Sequence, residues 1–352
     1  MKIYYIEPFF GQSHKEWIES YQKYSRHEIQ IFSLSGRFWK WRMQGGAIAL
    51  ADQLKSEEVP DLFLISGMID LPLFKSLLDK KFRDVPLILY FHENQFAYPE
   101  GVKAPKNQLH HYAFMNFKSC LASDKAYFNS SYNLESFLKG ARKLLKKMPD
   151  QVGPNWLTSV QEKSQVLPLG IEAKVSELKE KAGIPLVLWN HRWEHDKNPE
   201  EFFKLLFELK DEGYAFELAV LGESYQDSPE IFSQAKEILK DEIKYWGFQD
   251  KETYLEILKK AAVLPVTSHH EFFGISVLEA AMNGAYPILP NRLAYPENYP
   301  AKHLYSSYEE LKAKTKKVLK KKLSLDDEFM DDLKRFNWEY MAQVYDEEFL
   351  KN

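Results

Sequence analysis

Two clusters stand out by residue type and spacing. The first is His270-Glu271-Phe272-Phe273-Gly274-Ile275-Ser276-Val277-Leu278-Glu279-Ala280. It sets two carboxylates around a Phe-Phe-Gly turn, Glu271 in the turn and Glu279 about one turn into the helix that Ile275 opens. Carboxylates accept hydrogen bonds and suit sugar or ribose hydroxyls. A carboxylate among Phe, Ile and Val without a partner is costly, so the pair reads as ligand-facing; the plainer alternative is a capping glutamate and a surface glutamate. The second cluster is Asn190-His191-Arg192-Trp193-Glu194-His195-Asp196-Lys197-Asn198-Pro199. Arg192 and Lys197 are permanent cations at the start of a helix, where anions gain about 0.3–1 kcal/mol. Together they suit a diphosphate. Otherwise they pair with Glu194 and Asp196 as surface salt bridges worth about 0–1 kcal/mol.

Three further groups lie in the first half. Glu7-Pro8-Phe9-Phe10-Gly11-Gln12-Ser13-His14-Lys15 follows an apolar run, and Gly11 there is either a phosphate-approaching turn or an ordinary one. His92-Glu93-Asn94-Gln95 follows another run with four hydrogen-bonding side chains; His92 is open to a cleft role or a structural one. Arg37 and Arg42, flanked by Phe38, Trp39 and Trp41, combine guanidinium groups with rings that stack on an unstacked base. Two lysine-rich clusters accompany them. Lys139, Arg142, Lys143, Lys146 and Lys147 are a possible RNA contact, whereas Lys312 to Lys322 reads first as a solvated helix face.

Elements must hold these groups in place. Short apolar runs recur at Ile3–Ile6, Ile29–Leu34, Leu62–Ser66, Leu87–Phe91, Ala126–Asn129 and Gln165–Leu169, then at Leu186–Trp189, Phe216–Leu221, Ala262–Val266, Tyr286–Leu289 and His303–Tyr305. Amphipathic stretches such as Glu200–Lys210 and Glu252–Ala262 lie between them. Continuous apolar runs alternating with helical patterns imply buried parallel strands in an α/β protein. Eleven such runs exceed one comfortable sheet, which implies two doubly wound sheets side by side. The Gly/Pro-marked stretch Gly170–Pro185 is the expected junction. In open parallel sheets ligands bind at the carboxyl ends of strands, and the Glu7–Lys15, His92–Gln95, Asn190–Pro199 and His270–Ala280 groups follow such ends. Gly222-Glu223 and Trp246-Gly247 follow second-half runs and are expected near a nucleobase.

Composition bounds the function. With 352 residues, two domains are expected, since one core rarely grows past about 250–300. Charged residues make up 28% and apolar ones 45%, which excludes a disordered or fibrous chain. The net charge of −4 excludes nucleic-acid binding over the whole surface and leaves it to local patches. Cys120 is the only cysteine, so neither an intrachain disulfide nor a multi-cysteine zinc site is expected. Glu7 interrupts the place of a signal-peptide core and no stretch reaches 18 uninterrupted apolar residues, so a soluble cytoplasmic protein is expected.

Taken in order, Arg192…Lys197 and Glu271-x7-Glu279 over two α/β units resemble the retaining GT-B glycosyltransferases that use nucleotide sugars. Glu7-Pro8-Phe9-Phe10-Gly11-x-Ser13-His14-Lys15, Trp39-x-Trp41-Arg42, Tyr90-Phe91-His92-Glu93-Asn94-Gln95, His191-Arg192-Trp193-Glu194-His195-Asp196-Lys197 and His270-Glu271-Phe272-Phe273-Gly274 resemble the tRNA-queuosine α-mannosyltransferase family. Gln12 departs from it where a second glycine is common. The resemblance implies a GT-B fold with a cleft between two Rossmann-like domains: an acceptor domain over 1–172, a donor domain over 184–332 and a helix over 333–352 that crosses back. It implies transfer of mannose from GDP-mannose to the cyclopentene-diol of queuosine in tRNA, with retention. His92, Arg192, Lys197 and Glu271 are the implied catalytic groups. Gly11, Arg192, Lys197, Gly222, Glu223, His270, Glu271, Phe272, Phe273, Gly274, Ile275 and Glu279 are expected on the donor. His14, Arg37, Trp39, Arg42, Glu93, Asn94 and Gln95 are expected on the acceptor. No cofactor or metal ion is expected, and the partners are the nucleotide sugar and queuosine tRNA, with no stable membrane association and no obligate protein partner. The alternatives are a lipid or glycan acceptor, or a non-catalytic RNA- or nucleotide-binding protein.

Overall fold

In the computed structural model the described residues are 1–98, 108–173, 175–178, 181, 183–223 and 228–351. The side chain of Gln12, the departure noted above, lies outside this description. The chain divides into two units, one made of Met1–Ile171 with Trp338–Asn352 and the other of Glu172–Asn337.

The first unit has strands β1 (Lys2–Phe10), β2 (Glu28–Ser35), β3 (Leu62–Ser66), β4 (Leu87–Phe91), β5 (Lys125–Phe128) and β6 (Ser164–Val166). They form one sheet in the order β2-β1-β3-β4-β5-β6, with every pairing parallel. β3 and β4 are buried at every position, as their unbroken apolar sequences require. The order reverses beside β1: its chain leaves toward β2 on one side, while β3 joins on the other. Such a reversal opens a crevice at the carboxyl ends of the strands.

The second unit repeats the plan with β7 (Leu186–Trp189), β8 (Glu217–Leu221), β9 (Ile243–Gly247), β10 (Ala261–Pro265), β11 (Tyr286–Pro290) and β12 (Leu304–Tyr305). Their order is β12-β11-β10-β7-β8-β9, so the reversal falls between β7 and β10. The described residues thus hold twelve strands where the apolar runs gave eleven. β9 is the addition, and it is an edge strand whose Ile-Lys-Tyr-Trp-Gly is nowhere fully buried. An edge strand covered on fewer sides has no need of a continuous apolar run. Trp246 and Gly247 consequently lie within β9 rather than in a loop after a strand.

The Trp338–Phe349 helix packs within the first unit, against the helix Gln12–Tyr24. Its buried Asp346 accepts hydrogen bonds from Tyr21 Oη at 2.8 Å, Ser25 Oγ at 2.6 Å and the Arg26 backbone N–H at 2.9 Å. Tyr345 donates to the carbonyl of Pro168 at 2.8 Å and meets the hydroxyl of Tyr90 at 2.8 Å. No described helix is long and apolar enough to cross a membrane.

Removing a buried carboxylate that three donors share strands those donors. Asp346→Ala is expected to lower the unfolding free energy by about 3 kcal/mol, and Asp346→Asn by clearly less, in urea denaturation.

Candidate active site

The reversal between β7 and β10 brings two loops together. The loop after β7 runs through the 3-10 turn His195–Lys197 to the helix Pro199–Asp211, and the loop after β10 runs to the helix Ile275–Met282. Backbone bonds fix them to each other. His269 N–H donates to the Asp196 carbonyl at 2.8 Å, and Thr267 Oγ1 donates to the carbonyls of Lys197 and Asn198 at 3.0 and 2.8 Å. Gly222 at the end of β8 completes the seat. Its φ is +120°, and a Cβ there would stand 2.2 Å from the His191 carbonyl oxygen. Gly222 therefore makes room for the 190–193 backbone, and Trp193 is anchored by its N–H to the Glu223 carbonyl at 3.1 Å and by ring stacking on Phe232.

Lys197 is the centre of the cluster and is only 7% exposed. Its Nζ donates to the His270 carbonyl at 2.9 Å and lies 3.4 Å from both Glu271 Oε2 and Asp196 Oδ2. Burial works against the charge of Lys197, but Glu271 and Asp196 outweigh it and hold its pKa above the ordinary range. Burial likewise opposes the charge on Glu271, while Lys197 and the neighbouring His191 and His270 bring its pKa below the usual carboxylate value. The other oxygen of Glu271 accepts the N–H groups of Phe272 at 3.1 Å and Phe273 at 3.4 Å. Both rings are buried, Phe272 edge-on to His270 and Phe273 edge-on to Phe336. Gly274 caps the following helix in the left-handed region at φ +92°, and Ile275 begins it.

Arg192 sits differently. Its guanidinium is half exposed and lies 3.2 Å from Glu194. The surface pair foreseen as the plain alternative thus exists for Arg192, while Lys197 is buried in a denser ionic cluster. Glu279 accepts from Tyr254 Oη at 2.9 Å. Asn190 donates to the Ser276 carbonyl at 2.7 Å and to Tyr254 Oη at 3.3 Å, which ties the end of β7 to the Ile275–Met282 helix. Tyr254, Asn190 and Asp196 were not singled out as site residues. Tyr254 carries no motif signal, whereas Asn190 and Asp196 stand in plain view inside the second cluster.

The first unit has a polar cluster at its own reversal point. Gly11 ends β1 and caps the Gln12–Tyr24 helix, which brings His14 back onto Glu7. Glu7 is fully buried. Its carboxylate accepts Tyr5 Oη at 2.7 Å and the Phe9 N–H at 2.8 Å, and it meets His14 Nδ1 at 2.8 Å. Burial opposes protonation of His14, but the charge and hydrogen bond of Glu7 prevail and raise its pKa, with Glu93 adding to the effect. The His14 ring stacks on His92 at 4.2 Å, and Trp17 meets His92 edge-on at 4.7 Å. Burial, then the charge of His14, pushes His92 well below its ordinary value, so it is neutral. Its Nε2 is buried with no hydrogen-bond partner.

Two acceptor-side candidates, Asn94 and Gln95, are buried. Asn94 is fully buried and spent internally. Its amide donates to Asn133 and Ser136, and its Oδ1 accepts the N–H groups of Phe96 and Ala97, so it builds the loop rather than meeting a ligand. Gln95 is also buried, with its N–H bonded to Asn116. Trp39 is half-buried against Tyr112 and Tyr98. Arg42 donates to the carbonyl and hydroxyl of Ser35, and Arg37 is exposed.

Residues 2–171 match the family model described as tRNA-queuosine alpha-mannosyltransferase N-terminal, and residues 171–331 match glycosyl transferases group 1. The chain is 35% identical over 324 residues to the tRNA-queuosine alpha-mannosyltransferase of Drosophila melanogaster, covering 89% of this chain and 85% of that one. Among solved structures it is similar to Anabaena HepE in complex with UDP-glucose, with a TM-score of 0.70, 14% identity and full coverage of both chains. It is also similar to the Candida albicans trehalose-6-phosphate phosphatase N-terminal domain, with a TM-score of 0.72, 13% identity and coverage of 99% and 96%. These likenesses show the fold, the two-domain Rossmann-like GT-B architecture.

His191 supplies a pH test of the cluster. Burial first, then the Lys197 charge, pushes its pKa from 6.5 down to about 4. The unfolded chain therefore takes up this proton first as pH falls. The stability tied to neutral His191 is complete above pH 6.5 and is lost toward pH 4, at about 1.4 kcal/mol per pH unit. His191→Gln is expected to flatten the plot of denaturation midpoint against pH in that window; an unchanged slope would show that His191 titrates as a solvated histidine.

Proposed function

We propose a specific reaction for this chain, which belongs to the tRNA-queuosine alpha-mannosyltransferase family: transfer of mannose from GDP-mannose to a cyclopentene-diol hydroxyl of queuosine in tRNA, with retention of configuration. The chain is a hexosyltransferase of glycosyl transferases group 1. In the proposed reaction the second unit holds the donor. Lys197 and Arg192 meet the diphosphate, assisted by the N-terminus of the Ile275–Met282 helix. Glu271 accepts hydrogen bonds from mannose hydroxyls, and Glu279, with Tyr254 beside it, accepts from the ribose.

The bond from the anomeric carbon to the phosphate oxygen breaks as the bond to the acceptor oxygen forms on the same face. The acceptor proton passes to the departing phosphate oxygen, and GDP leaves. The two cations stabilise the charge that develops there, so no divalent ion is needed. His92, held neutral, and the Glu7–His14 pair are the first unit's contribution. The exposed cations Lys139, Arg142, Lys143, Lys146 and Lys147 at the end of the helix Ser131–Leu145 suit the phosphates of tRNA. Lys312 and Lys316 are less suited, because they are paired with Glu208 and Glu212. A compartment where tRNA is modified, the cytoplasm, fits this acceptor.

The observation that carries the reading is the buried contact of Lys197 with Glu271, a cation for the leaving group beside an acceptor for the sugar. The test is incubation with GDP-mannose and queuosine-containing tRNA, followed by mass analysis of nucleosides. A hexose on queuosine is expected; its absence together with GDP release would point to another acceptor. Glu271→Gln is expected to lose about 10²–10³-fold in turnover while the chain stays folded. Lys197→Ala is expected to lose both turnover and stability, since it deprives two largely buried carboxylates, Asp196 and Glu271, of their shared ammonium.

A further inference from the structure

Resting on the reading that the acceptor is an RNA, we infer that Phe38 and Trp41 form a stacking platform for unpaired nucleobases, with Arg37 beside it to meet phosphate. Both rings stand in water, Phe38 at 77% and Trp41 at 62% exposure. Phe38 precedes the helix Trp39–Gln53, and its carbonyl accepts the N–H groups of Trp41 at 2.8 Å and Arg42 at 3.1 Å. The two aromatics are thus three positions apart on the first helical turn, a spacing that makes neighbours.

The backbone is strained to achieve this. Phe38 lies in the left-handed region at φ 56° and ψ 51°, which is unfavourable for a bulky residue and recurs at functional sites. That strain gains no packing for the ring, since the ring is exposed. Trp41 is prepared in another way. A Cβ on Gly45, one helical turn on, would stand 2.9 Å from Cζ2 of the indole. The missing side chain lets the indole lie along the helix, with its exposed surface turned to solvent. A flat supported ring is what a base stacks on.

The surroundings favour an anionic partner. Between Gly36 and Ala51 the chain carries Arg37, Lys40 and Arg42 and no acidic residue. Arg42 is engaged with Ser35, which fixes the turn before the platform. Arg37 is exposed and has no ion pair among the described residues. Trp39, between the two exposed rings, packs inward on Tyr112 and anchors the turn. The structure thus divides the sequence motif: Trp39 and Arg42 hold the scaffold, while Arg37, Phe38 and Trp41 face the RNA.

The test uses the full chain and a fluorescently labelled RNA stem-loop with a seven-nucleotide unpaired loop, alongside the same strand annealed to its complement. Wild type is expected to bind the stem-loop better than the duplex by anisotropy. Trp41→Ala is expected to weaken stem-loop binding roughly tenfold, with GDP affinity unchanged. Phe38→Gly relieves the left-handed strain, so its melting temperature should hold or rise while stem-loop affinity falls. A residue with only a structural role would show the reverse. Stem-loop affinities equal to wild type in both variants, or an equal loss on the duplex, would overturn the platform. So would Trp41-dependent binding to phosphatidylserine vesicles without such dependence on RNA. If Trp41-dependent RNA binding is found but no hexose reaches queuosine, the platform stands and the proposed reaction fails; the converse result separates them the other way.

Discussion

The second unit is organised around one buried ion pair. Lys197 and Glu271 stand 74 residues apart in the chain and meet at 3.4 Å because β7 and β10 are neighbours where the sheet order reverses. Taking either charge out of water alone costs several kcal/mol, and their mutual attraction recovers this only with good geometry and further hydrogen bonds. Those bonds are present: the His270 carbonyl and Asp196 for the lysine, and the N–H groups of Phe272 and Phe273 for the glutamate. Apolar residues would fill the same space without this desolvation. The pair therefore makes sense as a site kept in readiness, with the loop bonds to Asp196 and Lys197 as its frame.

The first unit solves a related problem with a different pair. Glu7 is buried among Tyr5, Phe9 and His14; burial opposes the charge of His14, but Glu7 prevails and raises its pKa above the ordinary value. Burial first, then the neighbouring His14, pushes the pKa of the stacked His92 well down. One reversal point thus holds two stacked imidazoles whose pKa values are driven in opposite directions. The aromatic wall of Trp17, Tyr90 and Tyr345 behind them depends on the C-terminal helix, so residues at the end of the chain support groups near its beginning.

Much of this is legible in the sequence. Buried parallel strands announce themselves as unbroken apolar runs, and β9 escaped because a partly exposed edge strand does not need one. The basic pair and the two glutamates were legible because charged residues directly after apolar strands have few reasons to be there. What sequence could not supply was depth. Asn94 and Glu93 look alike as polar residues after β4, yet Asn94 is spent on the backbone of its own loop. Arg192 and Lys197 look like equals, and only the fold distinguishes a half-exposed guanidinium from a buried ammonium. The same holds for Trp39 and Trp41, which point to opposite fates from one helical turn.

That difference between Arg192 and Lys197 bears on how an anionic donor enters. Around the site the two cations already face three carboxylates, Glu194, Asp196 and Glu271. Net charge therefore does not draw a diphosphate in, and the attraction has to come from exchange of partners. The Arg192–Glu194 pair is half in solvent, where such pairs are worth about 0–1 kcal/mol, so it can open at little cost. Lys197 cannot leave without stranding Asp196 and Glu271. In the proposed reaction the half-exposed Arg192 exchanges partners to meet the phosphate, and the buried Lys197 is the fixed charge against which that phosphate is positioned.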